Sequence, residues 1–284
     1  MGKTCSLAEA ITPYASHRRN SAVWEVSMEL IVCDIEGCIT PPSGAMPWPL
    51  ESFAQLRATI EQLSVPFILL SGRHVPYGEA IVQALNLRFP IPSSRRGRSP
   101  FTFFPMILEN GCYFFDPFNK RSYPHPALLA YEDSNPRERL LEARRRLQRL
   151  DDIGFIEPGK DFVITISPLL PTPSGQEMEE MLAKIEVMLA GLDLAISKSR
   201  TAVDVAPPGL DKAAGLKYVL DVLEIRQEGV LGIGDAQADI EWLAIVGTSA
   251  CPANATDDVK AFVDYVADAQ ESRGVREILL RHII

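Results

Sequence analysis

The segment Glu29-Leu30-Ile31-Val32-Cys33 is apolar at almost every position and stops on Asp34. A strand wetted on one face alternates apolar and polar residues, so a nearly unbroken run predicts a strand buried on both faces. That is the condition of a parallel sheet covered by helices. Parallel strands need crossover connections, and the chain supplies them. A helix is expected over about 49–64, where Leu50, Phe53, Leu56, Ile60 and Leu63 recur at helical spacing. A second buried strand, Pro66-Phe67-Ile68-Leu69-Leu70, runs into Ser71-Gly72-Arg73, and a helix follows over about 76–87. Beyond residue 206 the alternation resumes with a helix over 211–224, a strand at Gly229-Val230-Leu231-Gly232-Ile233 and a helix over 236–245. A short strand near 247–250, another at Tyr265-Val266 and a terminal helix from about 273 complete it.

Between these halves the pattern changes. Residues 88–104, with the basic run Arg95-Arg96-Gly97-Arg98, read as a loop. A solvated insertion is the ordinary reading, and a substrate-gating or subunit-contact loop the functional one. Strands near 105–109 and 112–116 flank Asn110-Gly111, a hairpin signal. A helix over 135–150, a strand at Phe162-Val163-Ile164-Thr165-Ile166, a helix over 174–190 and strands at 192–197 and 201–205 then give the order α-β-α-β-β. That order suits a small open-faced α+β unit. The expected fold class is therefore α/β, a Rossmann-like doubly wound parallel sheet core with an inserted small α+β domain. Residues 28–119 and 206–284 make the core, 120–205 the insertion, and 1–27 an N-terminal extension. Within that extension Gly2-Lys3-Thr4 lacks the upstream glycine and strand of a phosphate loop.

A net charge of -9 argues against a general nucleic-acid binder, which needs clustered Lys and Arg, but not against a small phosphorylated ligand at a local positive site. The five cysteines, Cys5, Cys33, Cys38, Cys112 and Cys251, are odd in number and lack zinc-knuckle spacing, so free thiols in a reducing compartment are expected. No apolar run approaches the roughly 20 residues of a membrane span, and the first 20 residues hold no secretory apolar region. A cytoplasmic location without a membrane partner is the default expectation, and a homodimer is left open.

Four features stand where predicted core strands end or the next helices begin, the place where open parallel sheets bind ligands. Asp34-Ile35-Glu36-Gly37 sets two acids two residues apart at a turn. A carboxylate beside a metal ion is a credible nucleophile toward phosphorus, and a second can carry a proton. Ser71-Gly72-Arg73 offers a hydroxyl and backbone N–H groups to phosphate oxygens. Lys212 opens a helix, where a cation works against the dipole unless an anion meets it. Asp235 and Asp239, in Gly234-Asp235-Ala236-Gln237-Ala238-Asp239, are hard oxygen ligands suited to magnesium. Each alone has an ordinary reading: a turn, a surface lysine, a helix N-cap.

In this order the four features resemble the haloacid-dehalogenase-like phosphatases over about residues 29–284. The stretches Pro252-Ala253-Asn254-Ala255, Val263-Asp264-Tyr265-Val266 and Arg273-Gly274-Val275 are similar to the endings of members with a cap between the second and third motifs. The size of the insertion suggests the smaller, C2-type cap. Glu109-Asn110-Gly111 resembles the sugar-phosphate branch, which includes sucrose-phosphate and mannosyl-phosphoglycerate phosphatases.

The resemblance implies a Mg²⁺-dependent phosphohydrolase acting on a small phosphorylated metabolite, with a sugar phosphate or phosphoglycerate-like ester favoured. Asp34 would be the nucleophile and Glu36 the acid/base. Ser71, Gly72 and Lys212 would bind phosphate, and Asp34, the Glu36 carbonyl, Asp235 and Asp239 would hold the metal. Two positions depart from the family: Glu36 replaces the usual Asp, as in the enolase-phosphatase branch, and Ala238 replaces a frequent Asn. A phosphotransferase or phosphomutase on the same scaffold, and a non-catalytic binding member, are the competing readings. Lys160, Lys198 and Arg200 are candidate contacts for a second anionic group, each with surface charge as its ordinary reading.

Overall fold

Strand β1 (Leu30–Cys33) is buried at all four positions, as its unbroken apolar run requires. The computed structural model describes residues 27–42, 47–97, 99–129, 135–148, 150, 154–170, 173–199 and 202–283. Helix α1 (Leu50–Ile60), strand β2 (Phe67–Leu69) and helix α2 (Val75–Leu85) follow β1. Strands β3 (Met106–Leu108), β4 (Tyr113–Asp116) and β5 (Arg121–Pro124) come next. The insertion contains α3 (Pro136–Leu147), β6 (Gly154–Ile156), β7 (Ile164–Pro168), α4 (Gly175–Leu189), β8 (Ala195–Lys198) and β9 (Val203–Ala206). The chain returns through α5 (Lys212–Val222), β10 (Val230–Ile233), α6 (Ile240–Leu243) and β11 (Thr248–Cys251). It finishes with α7 (Asp257–Phe262), β12 (Tyr265–Val266) and α8 (Glu271–His282).

The core sheet is parallel throughout, in the order β12-β11-β10-β1-β2. β1 lies between β10 and β2, with Cys33 opposite both Ile233 and Leu69. The residues that follow these three therefore leave the sheet side by side at one edge. Helices α1, α2 and α8 pack together, as do α5 and α6, and the buried strands lie between helical layers. This is the doubly wound α/β architecture expected from the alternation.

β3, β4 and β5 form a separate antiparallel sheet joined to β2 by a bridge between Leu70 and Ile107. The Asn110-Gly111 hairpin forms at its expected place, between β3 and β4. Because β5 pairs with β4, strand pairing on the core side runs to Pro124, past the boundary drawn at residue 120. Residues 1–26, including Gly2-Lys3-Thr4 and Cys5, lie outside the described residues, as do Arg98 and Arg200. The other four cysteines are free and buried. Among the described residues no helix is long and apolar enough to cross a membrane.

The inserted domain differs from its expected order in one element. Its sheet has four strands, β6-β7-β9-β8, all antiparallel, so the order is α-β-β-α-β-β. β6 escapes a pattern-based reading because its only apolar pair is Phe155, which is exposed, and Ile156, which is half-buried. In β7 and β9 the pleat separates two faces. Ile164, Ile166, Val203 and Val205 are buried on one face, α4 packs on the sheet at β8 and β9, and α3 packs against α4. Thr165 and Asp204, paired across the strands, occupy the opposite face, where Asn110 of the core reaches Asp204. The helix expected over 236–245 is split into a 3-10 turn at Gln237–Asp239 and the short α6, and α7 was not foreseen.

Candidate active site

Asp34 leaves β1 with its N–H still on the Ile233 carbonyl at 2.9 Å, while its Oδ1 accepts the Ile35 N–H at 2.7 Å. The side chain is thereby fixed at the sheet edge. Lys212, the first residue of α5, donates to Asp34 Oδ2 at 2.9 Å and to Asp239 Oδ1 at 2.7 Å. A cation at a helix N-terminus is unfavourable by itself, and these two carboxylates are the anions that explain it.

Asp239 is held from every side. Its Oδ2 accepts the N–H groups of Asp235 and Ala236, each at 3.0 Å, and its Oδ1 accepts the Trp242 indole N–H at 2.9 Å. The 3-10 turn positions it for this. Asp235 lies directly against Gly37, where a Cβ would fall inside the Asp235 carboxylate and the backbone has φ +79°. Only glycine tolerates both conditions. The Gly37 carbonyl accepts from the Asn254 amide at 2.7 Å, and Asn254 Oδ1 accepts the Glu271 N–H at 2.8 Å. The loop after β11 and the start of α8 thus brace the turn behind Asp34.

The electrostatics follow from burial. Burial pushes the Asp34 carboxyl up to about 7, against the pull of Lys212. Burial would lower Lys212, but Asp239 and Asp34 overcome that and hold its ammonium well above the ordinary lysine range. Burial would likewise raise Asp239, and Lys212 and the Trp242 N–H reverse it, leaving the carboxyl below its usual range.

Asp34, Asp235 and Asp239 each offer a carboxylate oxygen within 4.8 Å of the others, and all three are buried. Three carboxyl groups face one ammonium, an excess of up to two negative charges in a desolvated place. Hard oxygen donors with that excess fit a divalent cation such as Mg²⁺. The structure therefore brings together Asp34, Lys212, Asp235 and Asp239, which the sequence places up to 205 residues apart.

Ser71 is buried at the end of β2, and its Oγ accepts the Arg73 N–H at 3.2 Å, which leaves its own proton to give. At Gly72 a Cβ would come within 2.7 Å of Asn110 Oδ1, so the backbone here is bare because the hairpin turn presses on it. The Glu36 carboxylate stands outside the three-acid cluster. Arg73 grips it through Nε at 2.6 Å and through Nη2, and burial of that guanidinium is outweighed by Glu36, which raises the Arg73 pKa. Ala238, the other departure from the family, is exposed.

The inserted domain supplies groups that sequence reasoning passed over or misplaced. Lys160 is buried, not a surface charge, and bonds Thr165 Oγ1. Lys198 is exposed and paired with Glu179, away from these groups. Glu157, Thr165 and Asp204 carry no motif, and the only available signal was the polar alternation of Thr165 within an apolar strand.

Comparison with known proteins supplies the family. A model of the haloacid dehalogenase-like hydrolases matches residues 150–279. Phosphoglycolate phosphatase 1 of Saccharolobus solfataricus is 34% identical over 252 residues, covering 89% of this chain and 94% of its own. The chain belongs to the haloacid dehalogenase-like hydrolases. A second relative, phosphoglycolate phosphatase of Aeropyrum pernix, is 26% identical over 264 residues, 90% of this chain and 93% of its own. The sucrose-phosphatase of Synechocystis sp. PCC6803, solved with sucrose and phosphate, shares the haloacid dehalogenase-like fold with a TM-score of 0.62 at 13% identity, over 90% of this chain and 98% of that one. The present chain is a phosphatase of this family.

Proposed function

We propose that the protein hydrolyses a small phosphate monoester through a phosphorylated Asp34, with Mg²⁺ as its metal. The observation that carries this reading is the Lys212 ammonium bridging Asp34 and Asp239, with Asp235 in the same buried cluster. Asp34 and Asp235 would hold the metal, with Asp239 fixing their surroundings, and the bound ion would neutralise phosphoryl charge and screen the attacking carboxylate.

In the first step an Asp34 oxygen forms a bond to phosphorus as the bond to the leaving oxygen breaks. Glu36 gives its proton to that oxygen. Lys212, the Ser71 hydroxyl and the Gly72 N–H meet the three phosphoryl oxygens as negative charge shifts among them. In the second step Glu36 takes a proton from water, the water oxygen bonds to phosphorus and the Asp34–phosphorus bond breaks. The alcohol and inorganic phosphate leave, and Asp34 is restored. 2-Phosphoglycolate, after which the relatives are named, is the first ester to try, with sugar phosphates next.

The test is phosphate release from a panel of esters with Mg²⁺, beside a chelator control and Asp34→Asn. Release should need the metal and vanish in the variant, whose fold should persist. Near-normal turnover by Asp34→Asn would refute the mechanism.

A further inference from the structure

Two cations stand beside the phosphate-binding end of β2 without a role in the steps above. Arg73 follows Ser71 by two residues and donates its backbone N–H to the Ser71 hydroxyl at 3.2 Å. Its Nε and Nη2 are taken by Glu36, whereas Nη1 faces Glu157 of the inserted domain at 3.5 Å. Lys160, with a side chain only 5% exposed, faces the same Glu157 Oε2 at 3.7 Å. Both contacts are long for charge-assisted hydrogen bonds, which run near 2.7–2.9 Å. Glu157 is anchored separately, its Oε1 accepting from Ser167 at 2.7 Å, so it keeps a partner if its other oxygen is released.

A buried lysine is costly unless an anion meets it closely. Lys160 has a hydroxyl and one distant carboxylate, although Thr165, its hydroxyl partner, leads through Asp204 to Asn110 and so to Gly72. The guanidinium edge and the ammonium therefore converge on one oxygen position, that of Glu157 Oε2, and Arg73 ties it to Ser71.

We propose that Arg73 Nη1 and Lys160 Nζ are the receptor for a carboxylate on the leaving group, and that Glu157 Oε2 holds its place. This rests on the phosphate site assigned to Ser71, Gly72 and Lys212. The substrate class is a short phosphorylated hydroxy acid, because the receptor begins two residues from the phosphate-binding hydroxyl. Glu36 shares the Arg73 guanidinium, so the incoming carboxylate and the acid/base are set against one cation, and Glu36 turns one oxygen from Arg73 when it carries the proton.

The experiment compares 2-phosphoglycolate with ethyl phosphate, which carries a methyl group where the former has a carboxylate. The readout is the ratio of their kcat/KM values with the full chain and Mg²⁺. A site built around a charged group rejects an analogue lacking it strongly, so a ratio of at least about 100 is expected. Lys160→Met should lower that ratio roughly 10- to 100-fold, and Glu157→Gln, which removes the competing anion, should raise it. A wild-type ratio near unity, or a ratio that neither variant moves, overturns the proposal. Calorimetric titration of Asp34→Asn with the same two esters reads binding without turnover. Preference for 2-phosphoglycolate there, with no hydrolysis by the wild type, would sustain the receptor and sink the hydrolase reading. Hydrolysis of both esters with no preference would do the reverse.

Discussion

Glu109 of the core accepts the Phe162 N–H of the inserted domain at 2.8 Å. The same buried carboxylate also takes the N–H groups of Asp161 at 3.0 Å and Val163 at 3.3 Å. One side chain thus satisfies three successive amides just before β7, and it fixes the start of the strand that carries Thr165.

Replacing it should loosen that seat. Glu109→Ala strips the acceptor from three amides, and an unsatisfied buried group costs about 1–3 kcal/mol. We expect a stability loss of about 3 kcal/mol, with faster hydrogen exchange at residues 161–163 than at the core strands. Equal protection in variant and wild type would show that the amides find other partners.

Lys212→Met leaves Asp34 and Asp239 buried without their cation. Breaking a buried pair by removing one partner costs about 3–5 kcal/mol. Mg²⁺ supplies replacement charge, so its addition should raise the melting temperature of this variant more than that of the wild type. A thermal shift no larger than the wild type's would place the ion away from these carboxylates.

Gly37→Ala drives a methyl group into the Asp235 carboxylate and requires φ near +79° from an L-residue. The strain is worth about 1–3 kcal/mol. Displacing a catalytic group by an ångström can cost about 100-fold in rate. Both losses should appear together in melting and in turnover, and a variant with normal values of each would contradict the close approach.

Asp116, at the end of β4, accepts the N–H groups of Thr102 at 2.8 Å, Phe103 at 3.3 Å, Phe118 at 3.0 Å and Asn119 at 3.1 Å. Burial would raise its carboxyl, but these four amides outweigh it and hold the pKa below the usual range. A depressed folded-state pKa contributes stability above the unfolded value, about 3.9, and loses it as pH falls through the folded one. Asp116→Asn should therefore be less stable than wild type at neutral pH by about 2 kcal/mol. The gap should close in acid, as denaturant titrations at both pH values would record.

Hydrophobic patterning was enough to read the core, because strands covered on both faces advertise themselves: β1, β2 and β10 were each found within a residue or two. The candidate site was legible for the same reason, since Asp34, Ser71 and Asp235 each follow such a strand. β6 was not, because its only apolar pair is an exposed Phe155 and a half-buried Ile156. Arg73 has no legible role in the sequence, since nothing local shows that its partners are Glu36 and, 84 residues on, Glu157. Lys160 reads as a charge in the sequence, but burial is a tertiary property, and its partner Thr165 meets Asp204 only when β7 pairs with β9.

The pleat of β7 and β9 divides responsibilities residue by residue. Ile164, Ile166, Val203 and Val205 answer to the stability of the domain, whereas Thr165 and Asp204, interleaved with them, answer to Lys160 and to Asn110 of the core. Neighbouring codons are thereby exposed to different selection. A lineage can exchange the second set and change how the inserted domain meets the core while the first set stands still, and a library confined to those alternate positions would vary that seam with the hydrophobic face intact.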